Sequence, residues 1–203
     1  MLAKLMGWLL LAIVRVLTGA QARWYGCPPK AEQRIYFANH QSHADLVMIW
    51  AALPEELRSI TRPIAAKDYW TKTPFRRWIT TAVFNAVYVD RERKDGEDPL
   101  QPLEDALRSG DSIIIFPEGT RGSGEEPQKF RSGLYQLALK FPQAVLVPAW
   151  IDNIQRVMPK GEVVPVPILC SVTFGAPIRV GEGEDRRVFL DRARAAVIAL
   201  KDV

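Results

Sequence analysis

Histidine is scarce in this chain: there are 2 in 203 residues, His40 and His43, and both fall in the stretch YFANHQSHAD from Tyr36 to Asp45. Cysteine is equally rare. Cys27 and Cys170 stand too far apart for a zinc or redox motif, so a cysteine-built metal centre is excluded and reduced, unpaired thiols are expected. No basic stripe with interleaved aromatics occurs and the formal net charge is only +4, which argues against nucleic acid and suits an anionic surface or substrate. The N-terminal apolar run, Leu5 to Val14, is 10 residues long, well short of the roughly 20 needed to cross a bilayer. Internal repeats, low-complexity tracts and a composition break are all lacking, so the length describes one domain.

The apolar run is bounded by Lys4 and Arg15. At helical spacing, Lys4, Gly7, Leu11, Arg15 and Thr18 share a narrow face, while Trp8, Leu9, Leu10, Ile13, Val14, Val16 and Leu17 cover the rest. Such a helix suits the boundary between headgroups and acyl chains. A signal peptide and a buried first helix are the alternatives, but Arg15 interrupts the run and no small-x-small cleavage site precedes Trp24. The expected organisation is a membrane-associating helix over 1–22 and a folded body over 23–203.

Beyond a turn-rich YGCPPKAEQR, strand-like and helix-like patches alternate, which predicts an α/β domain with a mixed, mostly parallel sheet flanked by helices. IYFA, PIAA, NAVYVD, SIIIF, AVLVPAW and ILCSVTFG read as strands. Helices are expected after Ser42, over TPFRRWITTAVF, over Ser132 to Lys140 and at the C-terminus. Another should start with Asp98 as cap and Pro99 in the first helical position. The Pro-rich VMPKGEVVPVP is expected to be a connection or to line an acyl channel.

Strand ends are where such sheets keep their ligand sites, and three of them carry chemistry. In NHQSHAD a tight turn after IYFA lets the Asp45 carboxylate hold one ring nitrogen of His40, leaving the other to remove a proton. Competing readings are a capping box of Ser42 and Asp45, a metal site of His40, His43 and Asp45 needing carboxylates from elsewhere, and a purely structural histidine. After SIIIF comes FPEGTRGSG, where Gly119 permits close backbone approach, Thr120 offers a hydroxyl and Arg121 a planar fork for phosphate. Arg91 follows the strand NAVYV. A His–Asp base with two guanidinium groups suits an acceptor that has a hydroxyl to deprotonate and a phosphate to hold.

From Tyr36 to Trp150 the chain resembles the glycerolipid acyltransferase family, whose best-known members are 1-acylglycerol-3-phosphate (lysophosphatidate) acyltransferases. The resemblance rests on Asn39, His40 and Asp45 in the Asn-His-x4-Asp motif, NAVYVDR ending in Arg91, FPEGTR from Phe116 to Arg121, and VLVPAW with Val147 and Pro148. Phe130-Arg131-Ser132-Gly133 stands for the family's Phe-Lys-x-Gly, with Arg131 in place of lysine, and Lys67 is similar to a lysine that members often carry between the first two motifs.

This resemblance implies acyl transfer from a thioester, acyl-CoA or acyl-carrier protein, to a lysolipid hydroxyl, with lysophosphatidate as the leading acceptor. His40 would be the general base and Asp45 would orient it. Arg91 and Arg121 would bind the acceptor phosphate, Glu118, Gly119 and Thr120 would shape the glycerol site, and Lys67 and Arg131 would contribute charge. No metal or other cofactor is implied, because the thioester is already activated. The partners are then a membrane lipid and a soluble thioester donor, and the location the cytoplasmic face of the inner membrane. Other lysolipid acceptors such as lyso-ornithine lipid, a non-catalytic lipid-binding protein and a metal-dependent phosphohydrolase remain as rivals.

Overall fold

The computed structural model describes residues 2–42, 44–90, 98–122, 124, 126–153 and 168–203. Among these residues the strands form one seven-stranded sheet. They are β1 (Gln21–Trp24), β2 (Arg34–Ala38), β3 (Thr61–Ala66), β4 (Val87–Val89), β5 (Ser112–Ile115), β6 (Val145–Ile151) and β7 (Ser171–Phe174), in the order β1-β7-β6-β2-β5-β3-β4. Every neighbouring pair is parallel except β6 with β7, so β6, β2, β5, β3 and β4 run one way and β7 and β1 the other. The expected mixed, mostly parallel sheet is present.

Both faces are covered, as a parallel sheet requires. Successive side chains of β2 alternate between them: Tyr36 and Ala38 join one core, Ile35 and Phe37 the other. On the first face lie α1 (Leu2–Thr18), α2 (Asp45–Ala52) and α3 (Glu55–Ser59). With them lies α5 (Pro74–Trp78), which continues as a π-helical turn over Ile79–Val83; a short α4 (Lys67–Trp70) precedes it. Met48, Ile49, Trp50, Leu57 and Phe84 are buried there. On the second face α6 (Gln101–Arg108), α7 (Gly133–Lys140) and α8 (Arg186–Ile198) bury Leu103, Leu107, Leu134, Leu137, Phe189 and Val197. Helices α6, α7 and α8 each contribute residues at three- or four-residue spacing to one side, the amphipathic pattern that the sequence displays.

Two local expectations change. Helix α6 begins at Gln101, not Pro99, although Asp98 does cap the turn: its Oδ1 accepts from Leu100 N at 2.9 Å. Pro102 occupies the first helical turn, where a residue without an N–H costs nothing, and Pro99 is left in the turn before it. Strand β1 was not foreseen, and it joins β7 in parallel from Gln21, inside the segment assigned to the membrane helix. In α1 the middle of the narrow face points inward, while its charged members Lys4 and Arg15 stay exposed. Leu11 and Thr18 are buried, and Thr18 Oγ1 donates to Val14 O (2.7 Å) and contacts Met48 Sδ (3.5 Å). Gly7 leaves room for Val83. The broad apolar side faces out, with Leu2, Leu5, Trp8, Leu9, Ile13 and Val16 all exposed.

Cys27 and Cys170 are free and buried. Burial pushes both thiols up, Cys170 to about 11, so neither is a thiolate nucleophile at neutral pH. VMPKGEVVPVP lies outside the described residues. No described helix is long and apolar enough to cross a membrane.

Candidate active site

The C-terminal ends of β2, β5, β3 and β4 share one edge of the sheet, and the motif residues collect there. As β2 ends, Asn39 is buried and takes over the ladder. Its Nδ2 donates to Ile151 O (3.1 Å) and its Oδ1 accepts from Ile151 N (2.8 Å), so the side chain clamps the end of β2 to the end of β6. The chain then turns. Asp45, the first residue of α2, is 0% exposed, and its Oδ2 accepts from Gln41 N (2.6 Å), Ser42 N (2.8 Å) and His40 Nδ1 (2.9 Å). No side chain caps α2 itself, so the expected capping box is incomplete; the carboxylate that closes the preceding turn also fixes the imidazole. Because a carboxylate only accepts here, Nδ1 carries the proton and Nε2 presents a lone pair. The His40 ring is 21% exposed, open enough to meet a substrate. It stacks on Phe116, with centroids 4.3 Å apart and planes at 16°.

The loop after β5 grips the main chain of His40 from both sides. Glu118 Oε1 accepts from His40 N at 2.7 Å, and Gly122 N donates to His40 O at 2.8 Å. The second oxygen of Glu118 accepts from Gln128 N at 2.8 Å. Glu118 is 2% exposed, so its carboxylate, placed among the glycerol-shaping residues by the sequence, holds the loop together from within. Burial pushes its carboxyl above the usual range, and the N–H groups of Gln128 and His40 pull it back.

Gly119 has φ +71°, and a Cβ there would meet Arg131 Nε at 2.7 Å. Glycine is thus required twice, for the left-handed backbone and for the guanidinium lying on it. Arg131 Nε donates to Glu118 O (3.1 Å) and its backbone N to Pro117 O (2.9 Å), so Arg131 braces the loop. Thr120 and Arg121 are exposed on the same loop, one residue from the contact with His40 O, and have no side-chain partner among the described residues. Lys67, at the end of β3, pairs with Asp90 at 3.3 Å and stands apart from the His40 network. Arg91 and His43 lie outside the described residues. The sequence missed Phe116 as the stacking platform and Asn39 as the clamp; both open recognisable motifs, but neither carries a charge that advertises a role.

A polarised imidazole, held by a buried carboxylate beside a loop whose exposed guanidinium has no partner among the described residues, is equipped to deprotonate a hydroxyl on an anionic molecule. A family model described as Acyltransferase matches residues 27–152, and the chain belongs to that family. It is 28% identical over 171 residues to a 1-acyl-sn-glycerol-3-phosphate acyltransferase of Cocos nucifera, covering 76% of this chain and 48% of that protein. It is 30% identical to a Helicobacter pylori protein of the same description (60% and 50% covered). A lyso-ornithine lipid O-acyltransferase of Rhodobacter capsulatus is 26% identical (61% and 37% covered). The chain thus spans half or less of the length of these relatives. Its fold is that of the crystal structure of the 1-acyl-sn-glycerophosphate (LPA) acyltransferase PlsC from Thermotoga maritima, with a TM-score of 0.72 at 18% identity, covering 98% of this chain and 80% of that one.

Proposed function

We propose that this protein transfers a fatty acyl group from a thioester to the free hydroxyl of lysophosphatidate, forming phosphatidate. The observation that carries this reading is the 2.9 Å contact between His40 Nδ1 and Asp45 Oδ2 at the sheet edge, tied through Glu118 and Gly122 to the FPEGTR loop. Nε2 of His40 takes the proton of the acceptor hydroxyl as its oxygen attacks the thioester carbonyl. Asp45 stabilises the imidazolium that forms. Collapse of the tetrahedral intermediate breaks the C–S bond, and the imidazolium returns its proton to the departing thiolate. Ester and free thiol are the products, and the chemistry requires no metal or redox group.

Arg121 supplies charge for the acceptor phosphate, with Arg91 as its partner in the family motif. Arg121→Ala is expected to raise KM for lysophosphatidate by about tenfold, the worth of a charge-assisted bond, and to leave KM for the donor unchanged. Steady-state kinetics with each substrate varied decide this, and an effect confined to the donor contradicts the placement. The Rhodobacter relative favours a second acceptor, lyso-ornithine lipid, which lacks the phosphate. Turnover of that acceptor with none of lysophosphatidate selects it instead.

On this reading the outward apolar side of α1, flanked by exposed Lys4 and Arg15, lies in the leaflet surface, and the soluble thioester donor favours the cytoplasmic face of the inner membrane. Because Leu5, Leu9 and Ile13 are exposed, changing all three to Glu is expected to release the protein from anionic vesicles in a sedimentation assay without lowering its melting temperature. Retained vesicle binding, or loss of the fold, removes α1 as the anchor.

A further inference from the structure

A cleft of about 440 Å³ opens between the segment after the FPEGTR loop and the start of α8. Lys129, Ser132, Arg186, Arg187 and one acid, Asp191, line it, over an apolar floor of Phe130 and Leu190. Its volume is that of a small-molecule site. Its charge is unbalanced. Lys129 and Arg186 make no ion pair among the described residues, and Arg187 reaches only Asp191, at 3.9 Å and largely exposed. Among the described acids nearby, Glu126 is held by Arg194 at 2.9 Å, Glu184 by Arg192 at 2.7 Å, and Asp185 accepts from Arg187 N at 2.7 Å. Converging, unneutralised cations in a concave site repel one another and attract a polyanion.

The position of the cleft connects it to the chemistry. Its residues interleave with those that hold the active-site loop: Gln128 N is bonded to Glu118, and Arg131 lies on Gly119. Phe130 packs edge-on against Phe37 of β2, the strand that ends at His40. The cleft also belongs to the α6–α7–α8 face, the side of the sheet opposite α1. The cleft therefore adjoins the loop that holds His40 and lies away from the face that carries α1.

We infer that this cleft binds the phosphate groups of a coenzyme A thioester, so that the soluble donor enters from the face opposite the membrane helix while the lipid acceptor enters from the other. The inference rests on the acyl-transfer reading above and adds a second, separate substrate site to it. A concave cationic cleft with an apolar floor fits a nucleotide bearing several phosphates; a carrier protein would instead need a broad flat surface.

The test uses the full chain. His40→Ala protein, which binds but does not turn over, is titrated with free coenzyme A by calorimetry, and so is the same protein carrying Lys129→Glu and Arg186→Glu. Both added changes are at exposed positions, so folding is retained and checked by melting. The affinity is expected to fall tenfold or more, and dephospho-coenzyme A to bind the parent less tightly than coenzyme A. On the active background the double change is expected to raise KM for acyl-CoA by a similar factor and leave KM for the lysolipid alone. Coenzyme A affinity within twofold across the variants, or turnover only with a carrier-protein thioester, overturns the inference. The two readings fail separately. Coenzyme A binding that depends on Lys129 and Arg186, in a protein that acylates no lysolipid, keeps the cleft and removes the reaction. Lysolipid acylation with unchanged coenzyme A affinity does the reverse.

Discussion

Asp45→Asn is expected to slow acyl transfer by about 10²–10⁴-fold, the range of general-base assistance, with the melting temperature close to that of the wild type. Asp45 Oδ2 accepts from two backbone N–H groups and from His40 Nδ1. An amide with its nitrogen turned toward those donors would oppose all of them, so the asparagine oxygen must take their place. The turn and the imidazole tautomer then survive, and what is lost is the negative charge that stabilises the imidazolium in the transition state. The amide nitrogen would occupy the position of Oδ1, which is buried and has no partner among the described residues. Asp45→Ala is a different experiment, because it strands the N–H groups of Gln41 and Ser42 and should cost stability as well as rate. Rate and thermal melting measured on both variants separate the two roles. Unchanged kinetics in Asp45→Asn would leave Asp45 only the closing of the turn.

Glu118→Gln is expected to be the more damaging change to the fold. Both carboxylate oxygens accept from the main chain, His40 N at 2.7 Å and Gln128 N at 2.8 Å, so a glutamine sets an NH2 group against an N–H on one side. A buried donor left without an acceptor costs about 1–3 kcal/mol. In a domain of this size that lowers the melting temperature by about 2–4 °C per kcal/mol. The rate suffers where the NH2 falls on the side of His40: its backbone N then loses its acceptor, and displacement by about 1 Å of a catalytic group costs on the order of 10²-fold. The loss should appear in kcat, with KM for the acceptor little changed. A rise in KM at unchanged stability would return Glu118 to the acceptor site.

The sequence displays the chemistry of this site better than its construction. His40 and Asp45 are five positions apart and meet within one turn, so their spacing alone suggests the pair. Glu118 and His40 are separated by 78 positions and joined through the main chain, so no pattern of side-chain types reveals that bond. The same holds for Asn39, which meets Ile151 at a separation of 112. Arg131 shows a partial success: the lysine-to-arginine exchange was visible, but its bracing contact depends on Gly119 having no side chain.

Fold elements divide along similar lines. Buried runs such as SIIIF are strands by composition, and the helices reveal themselves by spacing. Strand β1 is QARW, with its apolar signal confined to Ala22 and Trp24, and it exists because β7 offers an edge from the far end of the chain. The outward apolar side of α1 agrees with the membrane-surface reading over the buried-helix alternative, and Gly7 and Thr18 sit where the helix meets Val83 and Met48.

The most direct measurement is release of free thiol from acyl-CoA by the purified full chain with lysophosphatidate, run beside His40→Ala. The account expects release that depends on the acceptor and falls by at least about 10²-fold in the variant, with an unchanged fold. Acceptor-dependent release that persists in His40→Ala would contradict it, because the imidazole held by Asp45 would then not be the base.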